Sequence, residues 1–548
     1  MNRSGKFLSL VAPALLLGAT AILGAQPQSL AASGPASQRP LVVVPGLQTA
    51  FLDNFNPLSP SAMTGTFGLI YQPLFYFNTV GPQVYPLLGR SYQWSDNNLV
   101  LTVKLRTGAK WSNGTPVTAS DVVFSYTILR KYPSLDVNGV WATISSVSAV
   151  NSSTVKFVFK TPDVPFASTL LGSIPIIPES VWSNIAKPAQ YTNPHPIGSG
   201  PYVLKSFNPE TVTFSANGDY WGGKPKVQTV EYLQYSANDS ATLALTSGKV
   251  DWTSLFIPNI NKIYVDQNPR YNHYWFSLGG PLMLYTNLKN PLLSQLPVRK
   301  AIAYAVNRTE LWKVGEYGYE PPATTPTDLA LPLDKSWLDP SLAHQKLTYN
   351  PSKAVRILEK AGFKKNAQGI FVSPSGKPLE FTIIVPSGWS DWDEDCSLMS
   401  AELQAVGIKA TVEQLAFGAY YSDLSTGHYT LGMSWTSSGT TPYYLYEGLL
   451  GKGNPNNFEG WDNAVTTRDL NALKATSSPA VQKRLMYQLE SITAQNLPAI
   501  PLIYGASWYE YSNQYFTGWP TASNPYAAPQ PYTGPAQAIV ITHLTPRK

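Results

Sequence analysis

The sequence predicts an α/β protein with more than one domain, and three observations support that class. Segments with the alternation typical of strands interleave with helical segments along the whole chain. The 548 residues exceed what one hydrophobic core usually holds and suggest about two to four domains. Hydrophobic residues make up 43% of the chain, which is enough to build those cores.

The charge content restricts the class of partner. Charged residues account for 13% of the chain, about half of the roughly 25% that is usual for globular proteins. The formal net charge is +6 and no long run of lysine or arginine occurs, so we predict no nucleic-acid partner. A surface poor in ions and rich in Tyr, Ser, Thr and Asn suits neutral polar partners. It also suits acidic surroundings, where carboxylates take up protons.

The first 32 residues have the pattern of a secretory signal peptide. Arg3 and Lys6 precede an apolar run, Phe7–Ala25, and small residues follow it. An uncleaved membrane anchor is the alternative. We therefore predict a secreted protein at the extracellular face of the cell membrane or in the cell envelope or periplasm. Cys396 is the single cysteine, so an internal disulfide is excluded, and it lies far from any lipid-carrying mature N-terminus.

Local patterns place the first elements in order along the chain. Thr118 is predicted as the N-cap of a helix, because Asp121 stands three residues later as in a capping box. Proline opens two further predicted helices and is tolerated in a first helical turn. The predicted strands are Leu41–Val44, Leu99–Leu105 and Thr154–Phe159, and the two proline-led helices are Pro297–Val306 and Pro351–Ala361.

A strand–helix–strand unit is the clearest pattern in the chain. We predict a strand over Leu379–Val385, a helix capped by Ser390 and ended by Gly407, and a second strand over Ile408–Leu415. Strands joined through a helix are usually parallel, so this is a β-α-β unit. One apolar stripe at helical spacing supports the helix: Trp392, Cys396, Met399, Leu403 and Val406.

Trp389 lies in the loop between the first strand of this unit and its helix. Ligands of such sheets bind beyond the carboxyl ends of the strands, so this ring is a candidate ligand contact. The acids Asp391, Asp393, Glu394 and Asp395 follow it and are predicted in the first helical turn, where the helix dipole favours negative charge. Asp391 or Asp393 is a candidate partner for a ligand hydroxyl.

A longer segment, Leu101–Tyr126, resembles the signature of the family 5 extracellular solute-binding proteins of ABC importers. The stretch KLRTGAKWSNGTPVTASDVVFSY is the strongest part of the match. Further matches follow in the order that the family has: IGSGPY (Ile197–Tyr202), NGDYWGGKPKV (Asn217–Val227), SGKVDW (Ser247–Trp252) and VRKAIAYAVNR (Val298–Arg308). Together they extend over nearly all of the predicted mature chain.

The resemblance implies a periplasmic-binding-protein-like fold of type II, cluster C. This fold has two lobes joined by a hinge and a third domain inserted in the first lobe. The protein would be a monomer without cofactor that hands its ligand to the permease subunits of an ABC transporter. The domains implied are a signal peptide at 1–32, lobe I at 33–72, 196–285 and 505–548, the inserted domain at 73–195 and lobe II at 286–504.

The resemblance also bears on the ligand. Peptide-binding members usually carry an aspartate soon after a tryptophan, where it pairs with the free amine of the peptide. In the corresponding segment, Met433–Leu450, Trp435 is present, but Ser437, Ser438 and Gly439 stand where acids are expected. An ammonium group would lose its charged partner there. An oligopeptide ligand, bound through an acid elsewhere, stays the alternative.

Two segments resemble the branch that binds cello-oligosaccharides, so we predict a β-linked oligosaccharide as the ligand. They are Asn54–Asn78 and Ser387–Leu424. Sugar rings stack on aromatic platforms and form hydrogen bonds at the rims. The candidate platforms are Trp389, Trp392, Trp435, Trp252 and Tyr443, and the candidate rim partners are Asn54, Asn56, Gln72, Ser437, Ser438 and Asp391.

Two other classes of site have weaker support. A secreted glycoside hydrolase needs two carboxylates that face each other across a cleft, for which Asp393 or Glu394 with Glu447 or Glu459 are candidates. No hydrolase signature occurs, so we predict that the protein is not an enzyme. The five histidines are far apart and none pairs with another ligand at helical spacing, so we predict no metal site.

Overall fold

The computed structural model describes residues 39–547, except residues 49, 332 and 388. The predicted signal peptide lies outside these residues. None of the helices in the described part combines the length and the hydrophobicity that a membrane span requires.

The chain alternates between strands and helices, as the sequence predicts. The strands described are β1 (Leu41–Val43), β2 (Phe75–Phe77), β3 (Val84–Pro86), β4 (Gly89–Ser95), β5 (Val100–Leu105), β6 (Ile144–Asn151), β7 (Thr154–Phe159), β8 (Tyr202–Asn208), β9 (Thr211–Ala216), β10 (Thr229–Leu233), β11 (Trp252–Thr253), β12 (Asn272–Tyr274), β13 (Ser277–Thr286), β14 (Lys364–Lys365), β15 (Phe371–Val372), β16 (Glu380–Pro386), β17 (Lys409–Leu415), β18 (Leu431–Trp435), β19 (Ala499–Ser507), β20 (Glu510–Ser512), β21 (Phe516–Thr517) and β22 (Thr545–Pro546).

Several α-helices of the described part have proline in their first turn. The α-helices are α1 (Ala119–Lys131), α2 (Val140–Thr143), α3 (Ala167–Gly172), α4 (Glu179–Trp182), α5 (Asn238–Thr246), α6 (Ile260–Ile263), α7 (Leu296–Ala305), α8 (Arg308–Glu310), α9 (Pro351–Lys360), α10 (Ser390–Val406), α11 (Phe417–Thr426), α12 (Tyr443–Leu450), α13 (Ala464–Lys474), α14 (Pro479–Asn496) and α15 (Gly534–His543).

A seven-stranded mixed sheet forms the first of three main sheets. Its strand order is β12-β20-β11-β1-β10-β9-β8. The predicted first strand, β1, lies in its middle and pairs in parallel with β10 and β11. This sheet shares one hydrophobic core with a four-stranded antiparallel sheet of order β4-β5-β7-β6.

The family-signature segment, Leu101–Tyr126, contains most of β5 and the first part of α1, and its buried residues belong to this shared core. Its helix α1 begins with the predicted capping box: Thr118 and Asp121 exchange side-chain and backbone hydrogen bonds, and the Thr118 N–H donates to Asp121 Oδ2 at 2.9 Å. Trp111, from the same segment, is buried. The sequence prediction for this helix start is confirmed.

A five-stranded sheet forms the third unit, with the order β17-β16-β18-β13-β19. The predicted β-α-β unit is confirmed, because β16 pairs in parallel with β17 along its whole length and also with β18. Leu282 and Leu284 of β13 belong to one hydrophobic core, and Met283 between them belongs to another. Since successive side chains of a strand point to opposite faces, the sheet is covered on both faces.

Helix α10 confirms its predicted stripe and corrects its predicted start. All five stripe residues are buried, and Gly407 ends the helix at a φ of 93°, in the left-handed region that suits glycine. The N-cap position, however, is taken by Trp389 instead of Ser390, and no side chain caps the helix. The cap prediction was wrong because Ser390 already has helical geometry, one residue earlier than the pattern suggested.

Strands β13 and β19 pair with each other in the five-stranded sheet, and each is followed or preceded closely along the chain by a strand of the seven-stranded sheet. They run antiparallel from Ser277–Ser507 to Tyr285–Ala499, with two register shifts on the way. Their starting pairs, Ser277–Ser507 and Leu278–Ala506, lie where the chain passes between the seven-stranded and five-stranded sheets. The domain edges given above remain predictions.

Candidate functional site

A cavity of about 460 Å³ lies at this crossing. The ends of β13 and β19 form one wall. A loop after β2 and a residue before α15 form a second wall, and two loops next to the five-stranded sheet form the third. The lining residues are Asn78–Pro82 and Gln530, then Leu278–Pro281 and Ser507, then Ala330, Leu333, Asp334, Ser336, Trp337, Ser437–Pro442 and Leu445. The cavity is therefore a cleft between chain regions that are distant in sequence.

The cavity lining is polar and almost uncharged. Asp334 is the one ionisable side chain among the described residues that line it. Its Oδ2 accepts a hydrogen bond from the Ala330 N–H at 3.2 Å. Burial raises the pKa of Asp334 to about 6, although the Ala330 hydrogen bond opposes this shift. A cleft of this composition can form many neutral hydrogen bonds and at most one ion pair near neutral pH.

Gln530 is a site residue that the sequence analysis missed. Its side chain is buried and lines the cavity, and its Oε1 has no hydrogen-bond donor in the described protein. A buried carbonyl oxygen without a donor costs free energy, so a ligand N–H or O–H would be favoured there. The local pattern of Gln530, in a proline-rich loop before α15, gave no signal for this role.

Two residues that the sequence analysis predicted as hydrogen-bond partners at the ligand rim, Ser437 and Ser438, line the cavity. Ser438 is exposed within it, and Ser437 is half-buried. The Asn456 amide donates to Ser437 Oγ at 3.1 Å, so this hydroxyl keeps its own proton for another acceptor. These serines precede α12, whose first turn begins at the cavity wall.

Three of the predicted platforms form a tryptophan triad, Trp389, Trp392 and Trp435. Their ring centroids lie 5.0 Å (Trp389–Trp392), 5.2 Å (Trp389–Trp435) and 4.8 Å (Trp392–Trp435) apart, in edge and tilted arrangements. Trp389 follows the carboxyl end of β16 and Trp435 ends β18, so the triad occupies the carboxyl edge of the parallel strands. Trp435 is 43% exposed and presents the open face, whereas Trp392 is 4% exposed and supports it.

The triad and the cavity are joined by a very short piece of chain. Trp435 is followed by Thr436 and then by Ser437 of the cavity wall. The Thr436 hydroxyl donates to the carbonyl oxygen of Pro281 at 3.1 Å, which fixes this connection to β13. Gly280 allows the close approach, because a Cβ there would lie 2.5 Å from Thr436 Oγ1. The triad and the cavity wall are thus adjacent along the chain.

The predicted residues from the first part of the chain have a different environment. Trp252 is 0% exposed, donates from Nε1 to the Pro529 carbonyl oxygen at 2.9 Å and packs edge-on against Trp519. It offers no exposed face, so the prediction of a platform at Trp252 is corrected. Tyr443 is also buried, beside the cavity residue Pro442, and its hydroxyl faces Glu447.

The predicted rim amides of this region are used by the fold. Asn56 is 1% exposed and donates to the carbonyl oxygens of Pro188 and Tyr191, while its Oδ1 accepts from the Leu58 N–H. Gln72 is 2% exposed; its amide donates to the Tyr220 hydroxyl, and its Oε1 accepts from Trp221 Nε1.

Asn54 likewise holds a local turn, donating to Ser59 and Ser61. None of these three amides is among the described residues that line the cavity.

Asp391 lies beside the triad but not in the cavity lining. It is half-buried, and burial raises its pKa. Asp395, predicted in the first helical turn, is fully buried and lies against Glu316. The sequence analysis missed this contact because the partner segment lies about 80 residues away in the chain. In the part of the chain that is described, no group of three His, Cys, Asp or Glu side chains could hold a metal ion.

The chain matches a known family of bacterial proteins. The sequence profile of bacterial extracellular solute-binding proteins, family 5 middle, matches residues 83–457, which is well over half of the chain. The chain belongs to this family. It is thus a solute-binding protein of the ABC-transporter type, and the family resemblance drawn from its motifs is confirmed.

Individual relatives extend over most of the chain. A putative ABC transporter peptide-binding protein of Brucella ovis is 27% identical over 510 residues, which are 89% of this chain and 90% of the relative. A periplasmic oligopeptide-binding protein of an oligopeptide ABC transporter from Thermotoga maritima is 28% identical; its structure superposes with a TM-score of 0.85 over 92% of this chain and 99% of that chain.

The mannohexaose-bound structure of the Thermotoga protein superposes with a TM-score of 0.76, at 28% identity, over 92% of this chain and 98% of that chain. The two-lobed α/β binding-protein fold that the sequence predicts is confirmed by these structures.

Proposed function

We propose that this protein captures an oligosaccharide in its cleft and delivers it to an ABC permease. The composition of the cleft carries the proposal: hydroxyl and amide groups line a cavity of about 460 Å³ that adjoins an aromatic triad. Sugar hydroxyls are neutral donors and acceptors, so they match Ser437, Ser438 and Gln530 without an ion pair. The flat C–H face of a sugar ring matches the open face of Trp435.

Two further observations support a sugar of extended shape. The Thermotoga relative described above binds mannohexaose. The exposed Trp435 and the serines of the cavity wall follow each other along the chain, so a ligand can touch both at once. We retain the proposal of a β-linked, cello-oligosaccharide-like ligand, since alternate faces of an extended chain can stack on the triad while its hydroxyls reach the cleft.

The mechanism that we propose is closure of two lobes around the ligand. Strands β13 and β19 cross between the regions, and their ends, at Leu278–Pro281 and Ser507, line the cavity. A change of backbone angles there would move the wall at Asn78–Pro82 relative to the wall at Ser437–Pro442, as hinge motions do in periplasmic binding proteins. Energy for uptake enters at the transporter.

An oligopeptide is the second candidate, and Asp334 favours it. This carboxyl lines the same cavity as the neutral segment in which peptide-binding relatives carry their acid. Ionised, it could pair with the free amine of a peptide. The Brucella relative is described as a putative peptide-binding protein.

The cleft offers little for catalysis, which supports the proposal that the protein is not an enzyme. Asp334 is the single carboxyl among the described lining residues, whereas glycoside hydrolysis needs two. Of the hydrolase candidates, Glu459 is fully buried and Glu447 pairs with Lys474 at 3.1 Å. A monomeric state, the absence of nucleic-acid partners and the domain edges stay predictions.

Calorimetric titration with cellotetraose, mannotetraose and trialanine tests the proposal. We expect the purified protein to bind a tetrasaccharide, and Gln530→Leu to weaken that binding about tenfold, because the buried acceptor is lost. Asp334→Asn should change sugar affinity by less than about threefold. Gln482→Leu, which removes a half-buried amide outside the cavity lining, serves as the matched control and should bind like the wild type.

The same titrations show which outcome contradicts the proposal. Binding of trialanine alone, lost in Asp334→Asn, would replace the sugar with a peptide. Chromatography of the sugars after incubation adds a second criterion, since shortened products would indicate a hydrolase.

A further inference from the structure

A cluster of acidic side chains lies next to the tryptophan triad, and the proposed function does not use it. Its members come from two segments that are far apart in sequence: the turn after Leu311–Gly315 and the beginning of α10. We name it the carboxyl cluster; it consists of Glu316, Glu320, Asp391 and Asp395. Glu316 and Asp395 are fully buried, and Glu320 is nearly so.

The central contact of the cluster requires a proton. The carboxyl groups of Glu316 and Asp395 lie close enough to each other to share a hydrogen bond. Ionised carboxylates are acceptors only, so one of the two must be protonated for such a bond to form. Among the described residues outside this pair, no N–H or hydroxyl group donates to the oxygens of either side chain. Gly315 fits this packing, because a Cβ there would collide with Asp395 Oδ1.

The surroundings of the carboxyl cluster provide no compensating positive charge. No lysine, arginine or histidine of the described residues forms an ion pair with any of its four members. Lys313, the cation nearest in sequence, lies over the Trp312 ring. The other titratable groups on the packed elements are Tyr317 and Tyr319 after the turn, Asp393, Glu394 and Cys396 on α10, and Tyr504 on β19.

Burial and mutual repulsion act in the same direction on these acids. Burial, together with the charge of Asp391, raises the pKa of Glu316 to about 8. Burial and the neighbouring carboxyls raise the pKa of Glu320 and of Asp395 well above the ordinary range. Glu316 therefore holds its proton at neutral pH and loses it as the pH rises through about 8, while the raised pKa of Glu320 and of Asp395 also favours their protonated forms.

The carboxyl cluster contacts both parts of the candidate site. Glu320 accepts the backbone N–H of Ala506 at 2.5 Å. Ala506 precedes Ser507 of the cavity wall and pairs in β13 with Leu278, another lining residue. On the other side, Asp391 and Asp395 flank the triad residue Trp392 on the first turns of α10. A change of charge in the carboxyl cluster would therefore affect both strand β19, through Ala506, and the triad, through the start of α10.

Resting on the proposed function, we propose that the carboxyl cluster is a proton-dependent switch of ligand capture. While it holds its protons, Glu316 and Asp395 bond the turn to α10 and keep the triad in place beside the cavity. When it loses them, like charges in a buried space repel, and the start of α10 separates from the turn. Ligand capture is then strong in acid and weakens above pH 8.

Tryptophan fluorescence of the ligand-free protein tests the switch without reference to any ligand. Between pH 5 and 9.5 we expect a red shift of the emission and stronger acrylamide quenching, with a midpoint near 8, as the triad becomes more exposed. Glu316→Gln and Asp395→Asn should each abolish the transition. The transition should be smaller in Trp435→Phe, which removes the exposed ring of the triad and leaves Trp389 and Trp392 as reporters.

Glu402→Gln is the matched control. Glu402 lies on the same helix, accepts the Asn307 N–H at 2.9 Å and has its pKa raised to about 7 by burial, but it is far along α10 from the triad. This variant should keep the wild-type transition. A flat wild-type profile would overturn the proposal even if the cluster variants fail to fold.

Titration with cellotetraose at pH 6 and pH 9 then connects the switch to capture. We expect the dissociation constant of the wild type to rise at least tenfold between these values and that of Glu316→Gln to change by less than threefold. Equal pH dependence in the two proteins would contradict the role in capture. If cellotetraose does not bind at any pH, the sugar ligand is refuted, whereas the ligand-free transition still decides on the switch.

Discussion

The predicted site residues of the first and second parts of the chain differ in what their polar atoms bind. In the first part, Asn56, Gln72 and Trp252 have their polar side-chain atoms matched by protein groups and are removed from solvent. In the second part, Trp435 and Ser438 are exposed, and Ser438 lines the cleft. The same residue types thus serve the fold in one region and face a ligand space in the other. Residue type alone does not identify a binding residue. Polar atoms without a protein partner and aromatic rings exposed to solvent identify it better.

Removing Trp252 should have the largest effect and should act on stability. We expect Trp252→Ala to lower the free energy of unfolding by about 3–5 kcal/mol, since a fully buried indole and its hydrogen bond are lost. Guanidinium unfolding followed by circular dichroism measures this change. Trp435→Ala is the matched control and should lose less than about 1 kcal/mol, because its ring is partly exposed. Similar losses in both variants would contradict the difference between the regions.

A buried glutamate in the seven-stranded sheet should also make the free energy of unfolding depend on pH. Glu510 on β20 is fully buried; Thr253 Oγ1 and the Leu255 N–H both donate to its Oε2, at 2.7 and 3.0 Å. Burial raises its pKa to about 8, above the value of about 4.3 expected in the unfolded chain. The contribution of protonated Glu510 to the free energy of unfolding is fully present below pH 4 and is lost as the pH rises through 8. The slope from this group is about 1.4 kcal/mol per pH unit.

Unfolding titrations at pH 5, 7 and 8.5 measure this dependence. Glu510→Gln keeps a neutral group of the same shape and should flatten the fall of stability with pH. Glu413→Gln, at an exposed position of β17, is the control and should follow the wild type. A wild type that is more stable at pH 8.5 than at pH 5 would show that its buried acids are not protonated in the folded state.

Removing the exposed ring of the second region should act on binding. Trp435→Ala is expected to weaken cellotetraose binding at least tenfold, which corresponds to about 1.4 kcal/mol, while the melting temperature changes little. Tyr349→Ala removes an aromatic ring of similar exposure, 47% against 43%, that lies outside the cavity lining, and it should bind like the wild type. Unchanged affinity in Trp435→Ala would mean that the triad only packs.

The smallest expected effect is that of a single rim hydroxyl. Ser438→Ala should weaken sugar binding by about two- to fivefold, in line with roughly 0.5–1 kcal/mol for one partly solvated hydrogen bond, without a measurable loss of stability. Calorimetric titration at one pH measures this change in affinity. Ser341→Ala replaces an exposed serine outside the cavity lining and is the control. An equal change of affinity in both variants would show that Ser438 does not contact the ligand.

Much of the local structure could be predicted from sequence because it depends on neighbours along the chain. The capping box of Thr118 and Asp121 and the end of α10 at Gly407 rest on contacts within a few residues, and both are confirmed. Trp389 and Trp392 were predicted as separate candidate platforms, and their nearness follows from their spacing of three residues at the start of α10. The start of α10 was misplaced by one residue, because a helix of this length is held by its buried stripe and needs no side-chain cap.

The sequence by itself determined the family, the α/β class and the parallel unit with its aromatic edge, because periodicity and motif spacing encode them. Only the tertiary structure decided which side chains remain open to a ligand. Gln530, Asp334 and Asn78–Pro82 line one cleft, and Asp395 lies against Glu316, although these residues are far apart in the chain. Burial, hydrogen-bond matching and pKa are properties of such long-range contacts, and no local pattern carries them.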